Sequence, residues 1–261
     1  MKILQTIAGF DSYSGGTSTC TYDLLSAMHQ IGCNVDLMSV QSDNLMGHGE
    51  DWIKVLPNDA ITPYGYSKGI AQYLQNHEYD LYHTNGLWMY CNHMTCSVAR
   101  RKHKPYIITP HGMLYPAALK RSYWKKWPLI QLCFRKDINR ADCLHVTCKA
   151  EMEHVRQFGY RGAIAVIPNP ASRPGYLKEI AVAKSSFMGC SRLRKFGFLG
   201  RLHPIKKIEN LLYGLVELPH PQECELVIMG KGDDEYEQFL RSETKRLGLE
   251  NRVQFCGFVN G

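Results

Sequence analysis

Two cations in the last third of the chain, Arg201 and Lys206, have the types and spacing of a phosphate-binding pair. Arg201 follows a β-like run, and Lys206 stands where the next helix-like run begins. Ligands of doubly wound sheets bind beyond the carboxyl ends of the strands, so we expect both side chains in one crevice. Arginine can bind two phosphate oxygens at once, and lysine adds a point charge. The pair predicts a site for a departing pyrophosphate; the alternative is two solvated surface cations.

A glycine-containing turn follows the next β-like run, at the same predicted sheet edge. Gly230 and Gly232 flank Lys231 and precede two carboxylates that suit the cap of the following helix. Glycine lets the backbone approach a ligand closely. We therefore expect these two glycines to line the edge that carries Arg201 and Lys206.

A turn of the same kind, with Gly15 and Gly16, separates the first β-like run from the first helix-like run. The helix N-terminus there offers free N–H groups and about half a positive charge, which favours an anion. The turn lacks the GxGxxG spacing of a dinucleotide site, and no acidic residue stands where a ribose would need one. A tight turn with Thr17 as the helix N-cap is the alternative interpretation.

His111 is the histidine best placed for chemistry among the 11 in the chain. It stands at the end of a predicted strand, between Pro110, which restricts the turn, and Gly112, which frees it. A histidine at that point is expected to face the ligand crevice rather than the core. His83, at the end of another predicted strand, is a weaker candidate.

The charge of the chain is unevenly distributed. The net charge is +7, yet residues 81–136 contain no Asp or Glu and hold three of the four tryptophans, Trp88, Trp124 and Trp127. The cations of this stretch are Arg100, Arg101, Lys102, Lys104, Lys120, Arg121, Lys125, Lys126, Arg135 and Lys136. A basic, tryptophan-bearing region at 100–136 suits an anionic partner such as phosphates, nucleic acid or an anionic membrane surface. The alternative is a solvated face that happens to lack acids.

The ten cysteines do not have the spacing of a common metal site. No CxxC occurs, but a Cys-x-His-x-x-Cys pattern appears twice, at 91–96 and at 143–148. On a helix the two cysteines of the first pattern would lie about 140° apart, and on a strand the last cysteine of the second would take the other face. We therefore expect no metal ion, and interpret the cysteines as buried free thiols in a reducing compartment.

Short β-like runs alternate with helix-like runs, which is typical of a parallel sheet covered by helices. The predicted strands are 2–7, 34–40, 79–84, 106–109, 141–147, 163–167, 195–199, 225–229 and 252–256. The predicted helices are 17–31, 67–76, 90–103, 122–139, 148–158, 205–216 and 234–247. The pattern indicates a complete α/β domain at 1–170, a linker rich in turn signals at 171–194, and part of a second α/β domain at 195–261.

Length and composition exclude several classes of protein. The 261 residues are 44% hydrophobic and 21% charged, which is ordinary for a folded domain and wrong for a disordered chain. No apolar run approaches the roughly 20 residues that span a bilayer, and the N-terminus lacks the length of a signal peptide. We expect a cytoplasmic protein, or one attached to a membrane only from outside.

The chain resembles the retaining glycosyltransferases of family 4, also called group 1, which have the GT-B fold. The segments that carry the resemblance are YDLYHTNGLW (79–88), ITPHGML (108–114), VIPNP (166–170), FLGRLHPIKKIENLL (198–212), LVIMGKGDDEYEQFL (226–240) and NRVQFCGFV (251–259), together with the N-terminal glycine pair. The GRL-x-x-x-K element after a VIPN hinge is specific, whereas the other segments are individually weak. The resemblance implies two Rossmann-like domains that face each other across a cleft, the second of which binds a nucleotide-sugar.

The resemblance also implies roles for particular residues. Arg201 and Lys206 would hold the donor diphosphate and stabilise it as it leaves. Gly15 and Gly16 would approach that diphosphate from the other domain, and His111 would contact the donor sugar near the reacting carbon. Beside the nucleotide base would lie Phe258 and Val259. Such enzymes retain the anomeric configuration and need no metal ion, and the leaving phosphate itself takes the acceptor proton.

The chain departs from the family pattern in two ways. Lys207 stands where the family often has glycine, and the acidic E-x7-E element, some tens of residues beyond the GFV strand, is absent because the chain stops at Gly261. The second domain is thus expected to be truncated. One hypothesis is a transferase that moves a sugar to a cell-surface glycan or lipid-linked acceptor, with region 100–136 on the inner face of a membrane. Another is a non-catalytic remnant that keeps acceptor or membrane binding. Nucleic-acid binding is not expected, since no recognised motif accompanies the charge.

Overall fold

The computed structural model describes residues 1–11, 16–40, 45–47, 49–57, 59, 64–170 and 194–259. Backbone contacts divide the chain into two compact units, Met1–Arg173 and Pro174–Gly261. The linker predicted at 171–194 lies outside the described residues except for Arg194, which opens a strand.

The first unit contains a seven-stranded parallel sheet with strand order β3-β2-β1-β4-β5-β6-β7. Its strands are β1 (Lys2–Ile7), β2 (Asn34–Val40), β3 (Ile53–Leu56), β4 (Leu81–Asn85), β5 (Tyr106–Thr109), β6 (Cys143–Val146) and β7 (Ala163–Val166). The order reverses at β1, which pairs with β2 on one side and β4 on the other, so the sheet is doubly wound as predicted.

Helices lie between most of these parallel strands along the chain. They are α1 (Gly16–Gln30), α2 (Lys68–Asn76), α3 (Tyr90–Arg101), α4 (Pro116–Lys120), α5 (Tyr123–Leu129), α6 (Arg135–Asn139) and α7 (Lys149–Phe158), with a π-helical turn at Ile130–Phe134. Successive side chains of a strand point to opposite faces of the sheet and belong to two separate apolar clusters. Leu4 of β1 belongs to one cluster, while its neighbour Ile3 and Ile7 belong to the other.

Two predictions for this unit were wrong. The sequence predicts no strand or helix in residues 41–66, but they contain β3, a four-residue edge strand whose side chains are at best half-buried. The helix predicted at 122–139 is divided into α5, the π-helical turn and α6. Pro128 lies inside α5 and has no N–H to donate, and the π-helical turn begins two residues later.

The second unit contains a three-stranded parallel sheet of order β10-β9-β8. Its strands are β8 (Arg194–Leu199), β9 (Cys224–Met229) and β10 (Val253–Gly257). Its helices are α8 (Glu209–Val216) and α9 (Asp234–Arg246), with 3-10 turns at Pro204–Lys206 and Pro221–Glu223. The helix predicted at 205–216 is therefore a 3-10 turn followed by α8. The core of the second unit consists of eleven buried apolar side chains, among them Leu212, Ile228 and Leu240.

The described cysteines are all free, and their burial differs from the prediction. Cys91, Cys96 and Cys224 are buried, but Cys148 and Cys256 are exposed. Among the residues that the structure describes, no group of three or more His, Cys, Asp or Glu could hold a metal ion. Within the same residues, no helix is long and apolar enough to cross a membrane.

Candidate active site

The turn that carries His111 is held by a buried carboxylate. The backbone is left-handed at His111 (φ 49°) and at Gly112 (φ 74°), directly after β5. Glu151 of α7 is 1% exposed, and its Oε1 accepts the N–H of Gly112 at 2.6 Å. Its Oε2 accepts the N–H and the hydroxyl of Thr147 at 2.7 and 2.9 Å. Glu151 thus ties the turn after β5 to the loop after β6.

The ring of His111 is oriented by an amide from the neighbouring strand. Its Nε2 lies 3.1 Å from Oδ1 of Asn85, the last residue of β4, and Nδ2 of Asn85 donates to Oε1 of Gln5 at 2.9 Å. Burial lowers the pKa of His111 to about 4; the Glu151 carboxylate opposes the shift and His145 adds to it. The imidazole is therefore neutral at pH 7 and lies at the carboxyl edge of the sheet.

His83 is a core histidine rather than a ligand of this edge. It lies in the middle of β4, not at the strand end, and its Nε2 is 2.7 Å from the Thr109 hydroxyl. Burial lowers its pKa to about 3, and His145 and His111 contribute to the shift. The same hydroxyl lies 3.0 Å from Nδ1 of His145.

Of the N-terminal glycine pair, Gly15 lies outside the described residues. Gly16 is the first residue of α1, it is exposed, and a Cβ at this position would meet no atom of the described structure. The helix already includes Thr17, so Thr17 is not its N-cap. As far as the described residues go, this position leaves room for a ligand at the helix N-terminus.

In the second unit, the predicted phosphate-binding cations are available for a ligand. Arg201 follows β8 and Lys206 ends the 3-10 turn, and both are exposed. Within the described part of the chain, neither forms an ion pair, whereas the adjacent Lys207 lies 3.6 Å from Glu209. Lys207 has a left-handed backbone (φ 51°), which explains why glycine suits this position. Lys207 adopts the same left-handed turn, but with some backbone strain.

Gly230 and Gly232 have a packing role beside the predicted ligand-binding role. A Cβ on Gly230 would overlap the carbonyl oxygen of Gly200, and one on Gly232 would overlap that of Leu202. Gly230 also donates its N–H to Gly257 at 2.7 Å. Only glycine therefore lets the loops after β8 and β9 pack so closely, which fixes the backbone on both sides of Arg201.

Phe258 and Val259 extend directly beyond β10 and are 54% and 44% exposed. They follow Gly257, whose φ of 69° turns the chain at the end of the strand. The structure thus leaves two apolar side chains accessible at the carboxyl end of this strand.

The basic region divides into a paired and an unpaired part. Arg100, Lys102 and Lys104 pair with Asp137, Glu78 and Asp80 at 2.7, 2.9 and 3.9 Å. Beyond them lies what we call the aromatic–basic segment, residues 120–136. Its exposed cations, none ion-paired to another described residue, are Lys120, Arg121, Lys125, Arg135 and Lys136. Its exposed apolar side chains are Tyr123, Trp124, Trp127 and Leu132, of which Trp124 is 87% exposed.

A family model described as Glycosyltransferase Family 4 matches residues 14–172, which is more than half of the chain. The chain belongs to this glycosyltransferase family. The resemblance inferred from the sequence motifs is thereby confirmed, and the match covers the turn that carries His111. Among curated protein sequences, none matches the chain at a significant level.

Solved structures of GT-B glycosyltransferases show the same fold. Anabaena Alr3699/HepE in complex with UDP-glucose is 22% identical, with a TM-score of 0.69 over 100% of this chain and 70% of that one. Sucrose-phosphate synthase from Thermosynechococcus elongatus is 18% identical, with a TM-score of 0.72 over 100% and 71%. WaaG, a glycosyltransferase involved in lipopolysaccharide biosynthesis, is 11% identical, with a TM-score of 0.65 over 99% and 70%. These matches confirm the GT-B fold.

Three residues that hold His111 or its turn were missed from the sequence: Gln5, Asn85 and Glu151. Asn85 carried a readable signal, because it is a polar residue at the carboxyl end of a predicted strand. Glu151 carried a weaker one, a carboxylate in the first helical turn after Thr147. Gln5 carried none, since a glutamine inside a strand is ordinarily an exposed residue.

Proposed function

We propose that this family 4 chain transfers a sugar from a nucleotide-sugar to a cell-surface glycan or a lipid-linked acceptor, with retention of the anomeric configuration. The observation that carries the proposal is the pair of exposed cations, Arg201 and Lys206, at the carboxyl edge of the smaller sheet. Cations at that edge without an ion-pair partner in the described structure suit an anion that arrives with the substrate.

The donor diphosphate is the anion that this proposal assigns to the pair. Arg201 would hold two of its oxygens, and Lys206 would add charge as the diphosphate leaves, so that no metal ion is needed. The glycines Gly230 and Gly232 would keep the backbone next to the diphosphate, while Phe258 and Val259 would contact the base. The UDP-glucose in the HepE structure supports a nucleotide-sugar as the donor class.

We also assign the glycine turn and His111 of the first unit to donor binding. Gly16, with Gly15, would offer a helix N-terminus to the diphosphate. His111 would contact the donor sugar near the reacting carbon. Its neutral ring suits hydrogen bonding to a hydroxyl group better than charge pairing.

The aromatic–basic segment would bring the enzyme to its acceptor. Exposed Trp124, Trp127 and Leu132 beside five exposed cations have the composition of a surface that enters the headgroup region of an anionic bilayer. We therefore propose peripheral attachment to the inner face of the membrane, where a lipid-linked acceptor would be reached. Nucleic acid is not part of the proposal.

A transfer assay tests the proposal. The purified chain is incubated with UDP- and GDP-sugars and with membranes from its native source, and release of the nucleotide and labelling of a glycan are followed. We expect donor-dependent labelling, lost in Arg201→Ala, with the anomeric configuration retained by NMR. An inverted product would contradict the retaining mechanism. Donor binding without transfer would favour the alternative, a non-catalytic remnant.

A further inference from the structure

A directional hydrogen-bond chain runs from β1 through β4 to His111. Nδ2 of Asn85 lies 2.9 Å from Oε1 of Gln5 and 3.5 Å from the carbonyl oxygen of Thr6. A backbone carbonyl can only accept, so the Asn85 atom that faces Thr6 must be the amide nitrogen. The other end of the amide, Oδ1, is therefore the atom that faces His111.

This orientation decides where the proton of His111 resides. Oδ1 of Asn85 is an acceptor, so Nε2 of His111, 3.1 Å away, must donate. A neutral imidazole carries one N–H, and the other ring nitrogen then has a free lone pair. Burial keeps the ring neutral at pH 7, because it lowers the pKa to about 4. Across the described ranges of the chain, Nδ1 of His111 makes no hydrogen bond.

The neighbouring histidine does not compete for this lone pair. Nε2 of His145 lies 2.9 Å from the carbonyl oxygen of Ile167 and must donate to it, and its Nδ1 lies 3.0 Å from the Thr109 hydroxyl. The ring protons of both His145 and His111 are thus directed toward protein acceptors.

We propose that Gln5 and Asn85 are positioning residues that hold His111 as the Nε2–H tautomer, so that Nδ1 accepts a hydrogen bond from a hydroxyl group of the donor sugar. The identity of the hydroxyl rests on the proposed function, whereas the tautomer rests on the hydrogen-bond chain alone. An amide that flipped would present its N–H to His111 and reverse the polarity of the ring. The carbonyl oxygen of Thr6, 3.5 Å from Nδ2 of Asn85, opposes that flip, because it cannot donate to Oδ1.

The tautomer can be measured directly in the whole chain. Long-range 1H–15N spectra of protein labelled at histidine identify the protonated ring nitrogen, and His111→Gln assigns the signal. In the wild-type protein at pH 7 we expect the proton on Nε2. Asn85→Leu should give a mixture of tautomers, Asn85→Asp should restore Nε2–H because an acceptor remains, and the exposed control Asn139→Leu should change nothing. A proton on Nδ1 in the wild-type protein would overturn the inference.

Calorimetry with UDP-glucose and UDP tests the ligand half. We expect Asn85→Leu to weaken UDP-glucose binding about tenfold, as one lost hydrogen bond implies, and to leave UDP affinity unchanged. Equal weakening of both ligands would contradict a role in sugar recognition. If the wild-type protein binds neither ligand, a GDP-sugar and GDP are tested in their place. Binding of none of the four would contradict the proposed function, and the tautomer measurement still decides the positioning role separately.

Discussion

The carboxylate of Glu151 accepts the N–H of Gly112 at 2.6 Å, although 39 residues separate them in the chain. The same side chain holds the N–H and hydroxyl of Thr147. Since the turn at His111 is left-handed at two consecutive residues, it needs such external support. A buried residue of α7 therefore fixes the turn that carries the His111 ring.

Removal of this carboxylate should destabilise the first unit. Glu151→Ala leaves two part-buried N–H groups and one hydroxyl without their acceptor, so we expect a loss of about 2–4 kcal/mol in the free energy of unfolding. Glu151→Gln should lower the free energy of unfolding by less than Glu151→Ala does. All four tryptophans lie in the first unit, so urea unfolding followed by tryptophan fluorescence reports on it. Exposed Glu153 on the same helix is the control, and an equal effect of Glu153→Ala would contradict the anchoring role.

Substitution of glycine by alanine in the second unit should have opposite effects on stability at different positions. Gly230→Ala and Gly232→Ala force apart the loops after β8 and β9, which should cost about 1–3 kcal/mol. Gly214→Ala, inside α8 with open space around it, should stabilise by about 0.5–1 kcal/mol. Hydrogen exchange of β8 and β9 peptides isolates this unit. Unchanged exchange in Gly232→Ala would show that the loops do not need to pack so closely.

Acid should destabilise the first unit through His83. Its pKa is about 3 in the folded protein and near 6.5 in the unfolded chain, so only the unfolded chain takes up a proton between these values. The free energy of unfolding therefore falls as the pH drops below about 6.5. Between pH 7 and pH 5, the free energy of unfolding of His83→Gln should fall by about 2 kcal/mol less than that of the wild-type protein. Fluorescence-detected urea unfolding at both pH values measures this difference, with exposed His77→Gln as control. Identical losses in His83→Gln and wild type would contradict the buried, neutral state.

The aromatic–basic segment should bind anionic vesicles. We expect flotation with phosphatidylglycerol vesicles at low salt, much less at high salt, and little with neutral phosphatidylcholine vesicles. Trp124→Ala should weaken binding several-fold, because the indole would enter the interface. Ile31→Ala removes a comparably exposed apolar side chain elsewhere and is the control. Equal binding to both vesicle types would remove the electrostatic part of the proposal.

The sequence predicts the elements of this fold better than the contacts of its site. Apolar runs and turn residues place β1, β2 and β5 at their observed bounds, since a buried parallel strand has a strong local pattern. The edge strand β3 has no such pattern, because its side chains are only half-buried. The π-helical turn after Pro128 depends on packing and leaves no periodic signal.

The candidate site shows the same division. The places of Arg201, Lys206 and His111 in the fold can be predicted because strand ends and loops are local features. The structure leaves both cations exposed and without ion pairs among the described residues. The partners that orient His111 cannot be predicted in this way. Asn85 lies 26 residues from His111, and Gln5 lies 80 residues from Asn85. Only the sheet order brings these side chains together.

The affinity of the chain for nucleoside diphosphates tests the central claim most directly. Calorimetry with UDP and GDP should show binding of at least one, weakened about tenfold or more by Arg201→Ala and by Lys206→Ala, because each removes a charged hydrogen bond. Lys245→Ala, which removes an exposed charge from the last turn of α9, should leave the affinity unchanged. No binding of either nucleotide, or equal affinities in all four proteins, would contradict a donor site at Arg201 and Lys206.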